Sequence, residues 1–269
     1  MISKNLAIIS IFRVIHGAAF GVSGTIAVSL ASDYVPNDRL GEGIGYLGLG
    51  QVLASAVVPG FGIIIADHIG MPIAFLISCI MAIIGATLLI VCGPKHTASV
   101  INKREKAFGL KNLIAKEAIL FTIISGVFSI INGVVASFLL LFSEERHVEN
   151  ISAYFMISAL FLLIIRPLSG IIMDKKGISV LVYPSIAIGA AAMVMHGLST
   201  ALWMFLVAAV LRAIAQGCIQ PTLQTACLKK VGKDRSGVAT STFYLGADVG
   251  QGIGPIINVN KLSCHNITM

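Results

Sequence analysis

Residues 118–143 read AILFTIISGVFSIINGVVASFLLLFS, a run without a single charged side chain. About 20 apolar residues, at about 1.5 Å rise per residue, cross a hydrocarbon core of about 30 Å, so this run is long enough to span a membrane as one helix. Further uncharged windows occupy residues 43–66, 69–94, 151–165 and 178–211. The sequence therefore predicts an all-α integral membrane protein.

The overall composition excludes an ordinary soluble domain. Hydrophobic residues make up 57% of the chain and charged residues 12%, against about 45–50% and about 25% in soluble domains. A membrane β-barrel is also excluded, because its strands are segments of about ten residues with alternating hydrophobicity, whereas these runs are continuous. The net charge of +7 does not indicate a nucleic-acid partner, since the lysines lie between apolar spans. The expected partner is the lipid bilayer.

Breaks in the apolar pattern divide the chain into eight predicted helices, at residues 5–32, 43–66, 69–94, 118–143, 151–173, 178–198, 200–228 and 236–258. The connections 33–42, 95–117, 174–177 and 229–235 hold thirteen Lys or Arg residues, and the opposite face holds three. Because cytoplasmic loops carry the excess of Lys and Arg, we expect these four connections on the cytoplasmic side.

Two parts of the chain repeat one another. A shift of 196 residues superposes identical residues: Asp38-Arg39 on Asp234-Arg235, Gly41 on Gly237, Leu49-Gly50 on Leu245-Gly246 and Pro59 on Pro255. A shift of 199 brings Arg13 onto Arg212. We interpret this pattern as two parallel six-helix repeats, with about eight of the twelve helices present.

This interpretation divides the chain into four parts. Residues 1–94 hold helices 4–6 of the first repeat, 95–117 form a cytoplasmic linker, 118–258 hold helices 7–11, and 259–269 form an aberrant polar tail. Three helices are expected to be missing at the start of the chain and one at its end, which predicts that the chain is truncated at both ends.

Three motifs resemble those of the major facilitator superfamily, within it the drug:proton antiporter branch. They are Arg13-Val-Ile-His-Gly17 with Gly21 and Gly24 after it, the segment GEGIGYLGLGQVLASAVVPGFG from Gly41, and Gly170-Ile-Ile-Met-Asp174-Lys-Lys-Gly177. The second motif ends in Pro59 and Gly60, which the resemblance associates with antiporters, although Val58 stands where that motif has glycine. The resemblance covers residues 5–257 and implies the major-facilitator fold.

Four residues are candidates for contact with substrate or protons: Arg13, Arg212, Asp248 and His16, which borders Arg13. A charge at the membrane midplane costs about 2.5–3.5 kcal/mol and normally faces the protein interior or an aqueous cavity. Each arginine is therefore either a substrate or coupling group or a structural tie between helices. Asp248 is the only acidic residue inside a predicted span, and it either binds and releases a proton or forms a fixed ion pair with Arg212.

A second set of residues is predicted to govern packing or gating. Gly17 and Gly21, and likewise Gly246, Gly250 and Gly254, recur every four residues, which permits close backbone approach. These faces serve either packing alone or a rocking motion in which Pro59 and Pro255 bend the moving helices. The resemblance adds Gly60, Gly170 and Gly177.

Two charged residues near the ends of spans have simpler alternatives. Asp174 is either part of the ordinary loop charge or, as the resemblance implies, accepts hydrogen bonds near a helix end of the other half and locks one conformation. Arg166, beside Pro167, is expected to snorkel to the membrane surface as a structural residue.

The predicted function is multi-pass transport across the plasma membrane by alternating access, with proton-coupled efflux of small amphipathic molecules, as in multidrug antiporters. An uptake carrier for a metabolite and a fragment that transports nothing are the alternatives. An enzyme is not expected, because no metal spacing, no nucleophile with a base and no paired carboxylates occur in or beside the spans. No cofactor or metal is expected either.

Overall fold

The structure is a computed structural model that describes residues 6–92 and 114–265. These residues form eight α-helices: α1 Leu6–Tyr34, α2 Leu40–His68, α3 Met71–Cys92, α4 Ile119–Glu145, α5 Ser152–Lys176, α6 Ser179–Leu198, α7 Leu202–Val231 and α8 Ser236–His265. The same residues contain no strand. The prediction of an all-α protein with eight helices is confirmed, and most of the predicted linker lies outside the described residues.

The largest difference from the sequence prediction is at the end of α8. This helix continues to His265 rather than ending at 258. A polar residue ends an apolar window, but it does not by itself end a helix.

Six of the eight helices, α1 and α3–α7, are long and apolar enough to cross a membrane. Their outward surfaces carry many exposed large hydrophobic side chains, such as Phe75 on α3 and Tyr183 on α6. Buried positions instead include many small or hydroxyl-bearing residues, such as Ser129 and Ala213. This distribution is typical of a membrane protein, in which large apolar side chains face the lipid and small residues allow the helices to approach closely.

On the division predicted from the sequence, α1–α3 form a first group and α4–α8 a second, and α2 packs more extensively against α5 of the second group than against α1 or α3. Within the second group, the most extensive packing joins α4 with α8, α6 with α7, and α5 with α7. The groups meet where α2 packs against α5 and where α1 packs against α8, with a smaller contact between α2 and α7. The surfaces that line the boundary between the groups are therefore those of α1, α2, α5, α7 and α8.

Glycines form the contact between α4 and α8. A Cβ atom added at Gly250 would collide with the backbone of Gly126, and one at Gly254 would lie 2.6 Å from the carbonyl oxygen of Ile130. Gly246 similarly faces Thr122. The three glycines that the sequence pattern singled out on α8 thus allow its backbone to lie against α4, while their part in a rocking motion stays a prediction.

Short 3-10 turns precede α2 and α8. Asn37–Arg39 leads into α2, and Lys233–Arg235 leads into α8. The Asp-Arg pairs that the sequence repeat superposed therefore occupy equivalent turns. Gly177 ends α5 and Gly232 ends α7, with φ angles of 83° and 90° respectively. This conformation favours glycine, so Gly177 has a helix-ending role.

Candidate functional site

A stripe of polar side chains runs along α7, a helix apolar enough to cross a membrane. Its members recur every four residues: Arg212, Gln216, Gln220 and Gln224. Since a helical turn is about 3.6 residues, each lies about one turn beyond the previous one on nearly the same face of the helix. The first three are partly exposed and Gln224 is buried. We call these four residues the α7 polar stripe. Of these four residues, only Arg212 was predicted from the sequence, because of its charge inside a span. The four-residue spacing of the three glutamines is the signal that could have predicted the others.

At one end of the stripe, Arg212 belongs to a directed chain of hydrogen bonds. Its Nη1 donates to the Tyr154 hydroxyl at 3.4 Å and its Nη2 to Gln216 Oε1 at 3.4 Å. The Tyr154 hydroxyl lies 2.8 Å from His196 Nε2, and His196 Nδ1 lies 2.7 Å from the carbonyl oxygen of Ala192. Because a carbonyl oxygen only accepts, the neutral imidazole carries its hydrogen on Nδ1. Tyr154 therefore donates to His196.

Arg166 joins the middle of the stripe to the other group of helices. Its Nη1 donates to the carbonyl oxygen of Gly48 on α2 at 3.0 Å, and its Nη2 donates to Gln220 Oε1 at 3.3 Å. The residue is only 8% exposed. The expectation that Arg166 snorkels to the surface is wrong, because α2 leaves room for the guanidinium inside. A Cβ at Gly48 would collide with Arg166 Nη1.

The last residue of the stripe contacts α8, the helix that carries Asp248. Gln224 Nε2 donates to the Tyr244 hydroxyl at 3.1 Å. A Cβ at Gly24 of α1 would lie 3.8 Å from the Tyr244 ring. Asp248 follows Tyr244 by one helical turn and is exposed.

Asp248 and Arg212 form no ion pair in the part of the chain that the structure describes. The Nη atoms of Arg212 are directed at Tyr154 and Gln216 instead. The interpretation of Asp248 as the fixed partner of Arg212 is therefore not supported by the geometry. Its role as a proton-binding group stays a prediction.

A second cluster closes the boundary between the two groups at the opposite end of α5. The Asp174 carboxylate accepts the backbone N–H of Gly41 at 3.0 Å and that of Glu42 at 2.8 Å, and it pairs with Lys229 Nζ at 2.7 Å. A carboxylate at the first turn of α2 is favoured by the helix dipole. Gly170 lies directly against Gly41, where any Cβ would collide.

Further contacts surround a cavity beside this cluster. The hydroxyls of Ser29 and Ser236 lie 2.8 Å apart, and Lys233 Nζ donates to the carbonyl oxygen of Val35 at 2.7 Å. The cavity has a volume of about 300 Å³ and is lined by residues that include Ser32, Leu40 and Lys229. We call the contacts around Asp174, Ser29 and Lys233 the closing seam.

The comparison with known families agrees with this architecture. The family model described as Major Facilitator Superfamily matches residues 1–255. The chain belongs to the major facilitator superfamily. A search of curated proteins found no match. As a member of this superfamily, the chain is a multi-pass membrane protein of a transporter family, and such a transporter binds a small-molecule substrate within a lipid bilayer.

The two candidates on α1 differ from the polar stripe in their exposure. Arg13 and His16 are exposed. A Cβ added at Gly17 or Gly21 would meet no described atom within 4 Å. Arg13 therefore differs in its surroundings from Arg212, although the repeat superposes the two, and the close packing predicted for Gly17 and Gly21 has no described partner.

The prolines singled out in this superfamily member both lie inside helices. Pro59 and Gly60 fall within α2, and their side-chain surroundings lie outside the described residues. Pro255 lies within α8 and is partly buried. The bending role predicted for Pro59 and Pro255 stays a prediction.

Proposed function

We propose that the chain exports small amphipathic molecules across the plasma membrane by alternating access, in exchange for protons. The observation that carries this proposal is the α7 polar stripe. Arg212, Gln216 and Gln220 remain partly exposed although they lie within a helix apolar enough to span the membrane. Polar groups facing lipid are costly, so such a stripe is expected to line a water-filled cavity.

The moving units would be the two groups of helices. We assign α1–α3 to one half, within residues 1–94, and α4–α8 to the other, within 118–258, with the linker 95–117 between them. The contacts of the closing seam lie at the face that holds the excess of Lys and Arg. On this assignment the conformation is closed towards the cytoplasm, and export requires Asp174, Ser29 and Lys233 to release their partners.

Asp248 is the proposed proton carrier. It is the only acidic residue inside a predicted span, and in the described part of the chain it is exposed and takes part in no ion pair. A carboxylate on the cavity side of α8 can exchange a proton with either face as the cavity changes sides. One charge moving through about 100 mV supplies about 2.3 kcal/mol, enough for an about fifty-fold solute gradient.

The test is transport by the full chain reconstituted into liposomes with an imposed pH gradient. Ethidium and 8-anilino-1-naphthalenesulfonate serve as amphipathic probes, because their opposite charges are permanent and neither redistributes by titration. Antiport predicts that at least one dye accumulates when the liposome interior is acidic. The Asp248→Asn variant should lose this pH-driven accumulation, whereas Asp38→Asn, which removes an exposed carboxylate, should retain it.

The other outcomes separate the alternatives. Accumulation only when the interior is alkaline would indicate symport, and hence an uptake carrier. A chain that inserts but moves neither dye in either gradient would contradict the transport proposal and favour a fragment without transport activity.

A further inference from the structure

Arg212 has only neutral partners. Its two Nη contacts, with Tyr154 and Gln216, are both 3.4 Å long, at the weak end of the range for hydrogen bonds. Its Nε is buried and has no hydrogen-bond partner. A guanidinium carries five N–H donors and is always protonated in proteins. Most of the hydrogen-bonding capacity of this cation is therefore unused.

The interior of the described helices supplies no counter-charge for it. The two ion pairs formed by described residues, Lys229 with Asp174 and Arg235 with Glu117, lie at the ends of helices. The predicted spans hold three arginines, Arg13, Arg166 and Arg212, against one acidic residue. Because Arg212 is partly exposed and most of its donors are unused, an anion that enters beside the stripe can pair with this excess positive charge.

The two arginines beside the stripe are held differently. Arg166 is fixed by a 3.0 Å bond to a backbone carbonyl of α2 and is nine-tenths buried. Arg212 remains partly exposed and rests on a ring, with its Cζ 5.9 Å from the centroid of Tyr154. Since Tyr154 directs its own hydrogen at His196, its oxygen is free to accept from Arg212. Tyr154 and His196 thus orient the guanidinium without neutralising it.

We propose that Arg212 binds the anionic group of the transported molecule, so that the substrates are organic anions with a carboxylate, sulfonate or phosphate group. This inference rests on the proposed transport function and specifies its substrate class. The planar guanidinium matches two oxygens of such a group in a forked pair of charge-assisted hydrogen bonds. Gln216 supplies an amide beside the same position.

Three planar probes that share a naphthalene ring test this assignment: 2-naphthoate, 2-naphthamide and 2-naphthamidine, whose attached groups are anionic, neutral and cationic. Their binding to the full chain in lipid nanodiscs is measured by titration calorimetry. Hydrogen bonds to charged groups predict that the carboxylate binds about ten- to hundred-fold more tightly than the neutral amide. The cationic amidine should bind no more tightly than the amide. Arg212→Gln should remove the preference, whereas Arg146→Gln, at an exposed arginine stacked on Phe142, should leave it intact.

Gln216→Glu provides a second variant in case Arg212→Gln does not fold. A glutamate there would supply the missing counter-charge one turn from Arg212, so the preference for naphthoate should disappear while the thermal unfolding midpoint stays the same or rises. The proposal is overturned if naphthoate binds no more tightly than the other two probes, or if its preference survives in both variants. Neither result would contradict the transport function itself, which the pH-gradient transport assay tests separately.

Discussion

The substitution Asp174→Asn is expected to open the closing seam. The Asp174 carboxylate accepts two backbone N–H groups of α2, at 3.0 and 2.8 Å. Its side chain is only 7% exposed, so these bonds are made largely away from water. An asparagine has one carbonyl oxygen and one NH₂ group, and it can therefore satisfy only one of the two N–H groups well.

The size of the effect follows from these contacts. A buried N–H that loses its acceptor costs about 1–3 kcal/mol. Replacing the other charge-assisted bond by a neutral one costs about 1 kcal/mol more. The pair with Lys229 is assigned no energy, because the lysine side chain is 33% exposed and such pairs contribute little. The total is about 2–4 kcal/mol, or an about thirty- to several-hundred-fold larger open fraction.

Thiol accessibility measures that fraction. Ser32 lines the seam cavity and is 1% exposed, so a Ser32→Cys variant, with the five native cysteines replaced, should react with a maleimide only when the seam opens. When opening is fast, the reaction rate is proportional to the open fraction. Asp174→Asn should raise the rate about thirty-fold or more, and the exposed Asp38→Asn should leave it unchanged. Equal rates with and without the Asp174→Asn substitution would refute the seam as a lock.

Two further substitutions test the packing and the polar chain, each by the thermal unfolding midpoint. Gly250→Ala should lower the midpoint, because its Cβ would collide with α4 and overpacking costs about 1–3 kcal/mol. Gly252→Ala should leave the midpoint unchanged, because a Cβ at Gly252 meets no described atom within 4 Å. Equal midpoints for the two variants would contradict the close contact between α4 and α8. Tyr154→Phe leaves buried His196 without its donor and should cost about 1–3 kcal/mol. Tyr183→Phe should leave the stability unchanged, because the Tyr183 side chain is 72% exposed. Equal losses of stability in the two variants would argue against the chain of hydrogen bonds from Arg212 through Tyr154 to His196.

The helices themselves could be predicted because a membrane leaves the backbone few choices. A spanning segment must satisfy its own N–H and C=O groups, so a long uncharged run becomes a helix whatever it packs against. The same logic placed Arg212 and Asp248 inside spans. The end of α8 was missed because hydropathy marks where a segment leaves an apolar pattern, whereas the helix continues through polar residues to His265.

The partners of these residues could not be predicted, because sequence gives the depth of a side chain but not its direction. The span predicted from the sequence ends at residue 173, so Arg166 was expected to reach the membrane surface. In the structure α5 continues to Lys176, and glycines on α2 allow Arg166 to turn inwards. Tyr154 and His196 are neutral residues on separate helices, and only the packing of α5, α6 and α7 brings them to Arg212. The repeat likewise superposes Arg13 on Arg212, but their surroundings differ.

On the proposed function, the α7 polar stripe lines a water-filled cavity rather than facing lipid. Gln216→Cys tests it most directly, against Val207→Cys on the same helix, whose native side chain is 41% exposed. Both variants, in a chain without other cysteines, are treated with a charged, membrane-impermeant maleimide in lipid vesicles. A water-filled cavity along the stripe predicts rapid labelling at position 216 and little at 207. Failure to label position 216, or equal labelling of the two, would contradict it.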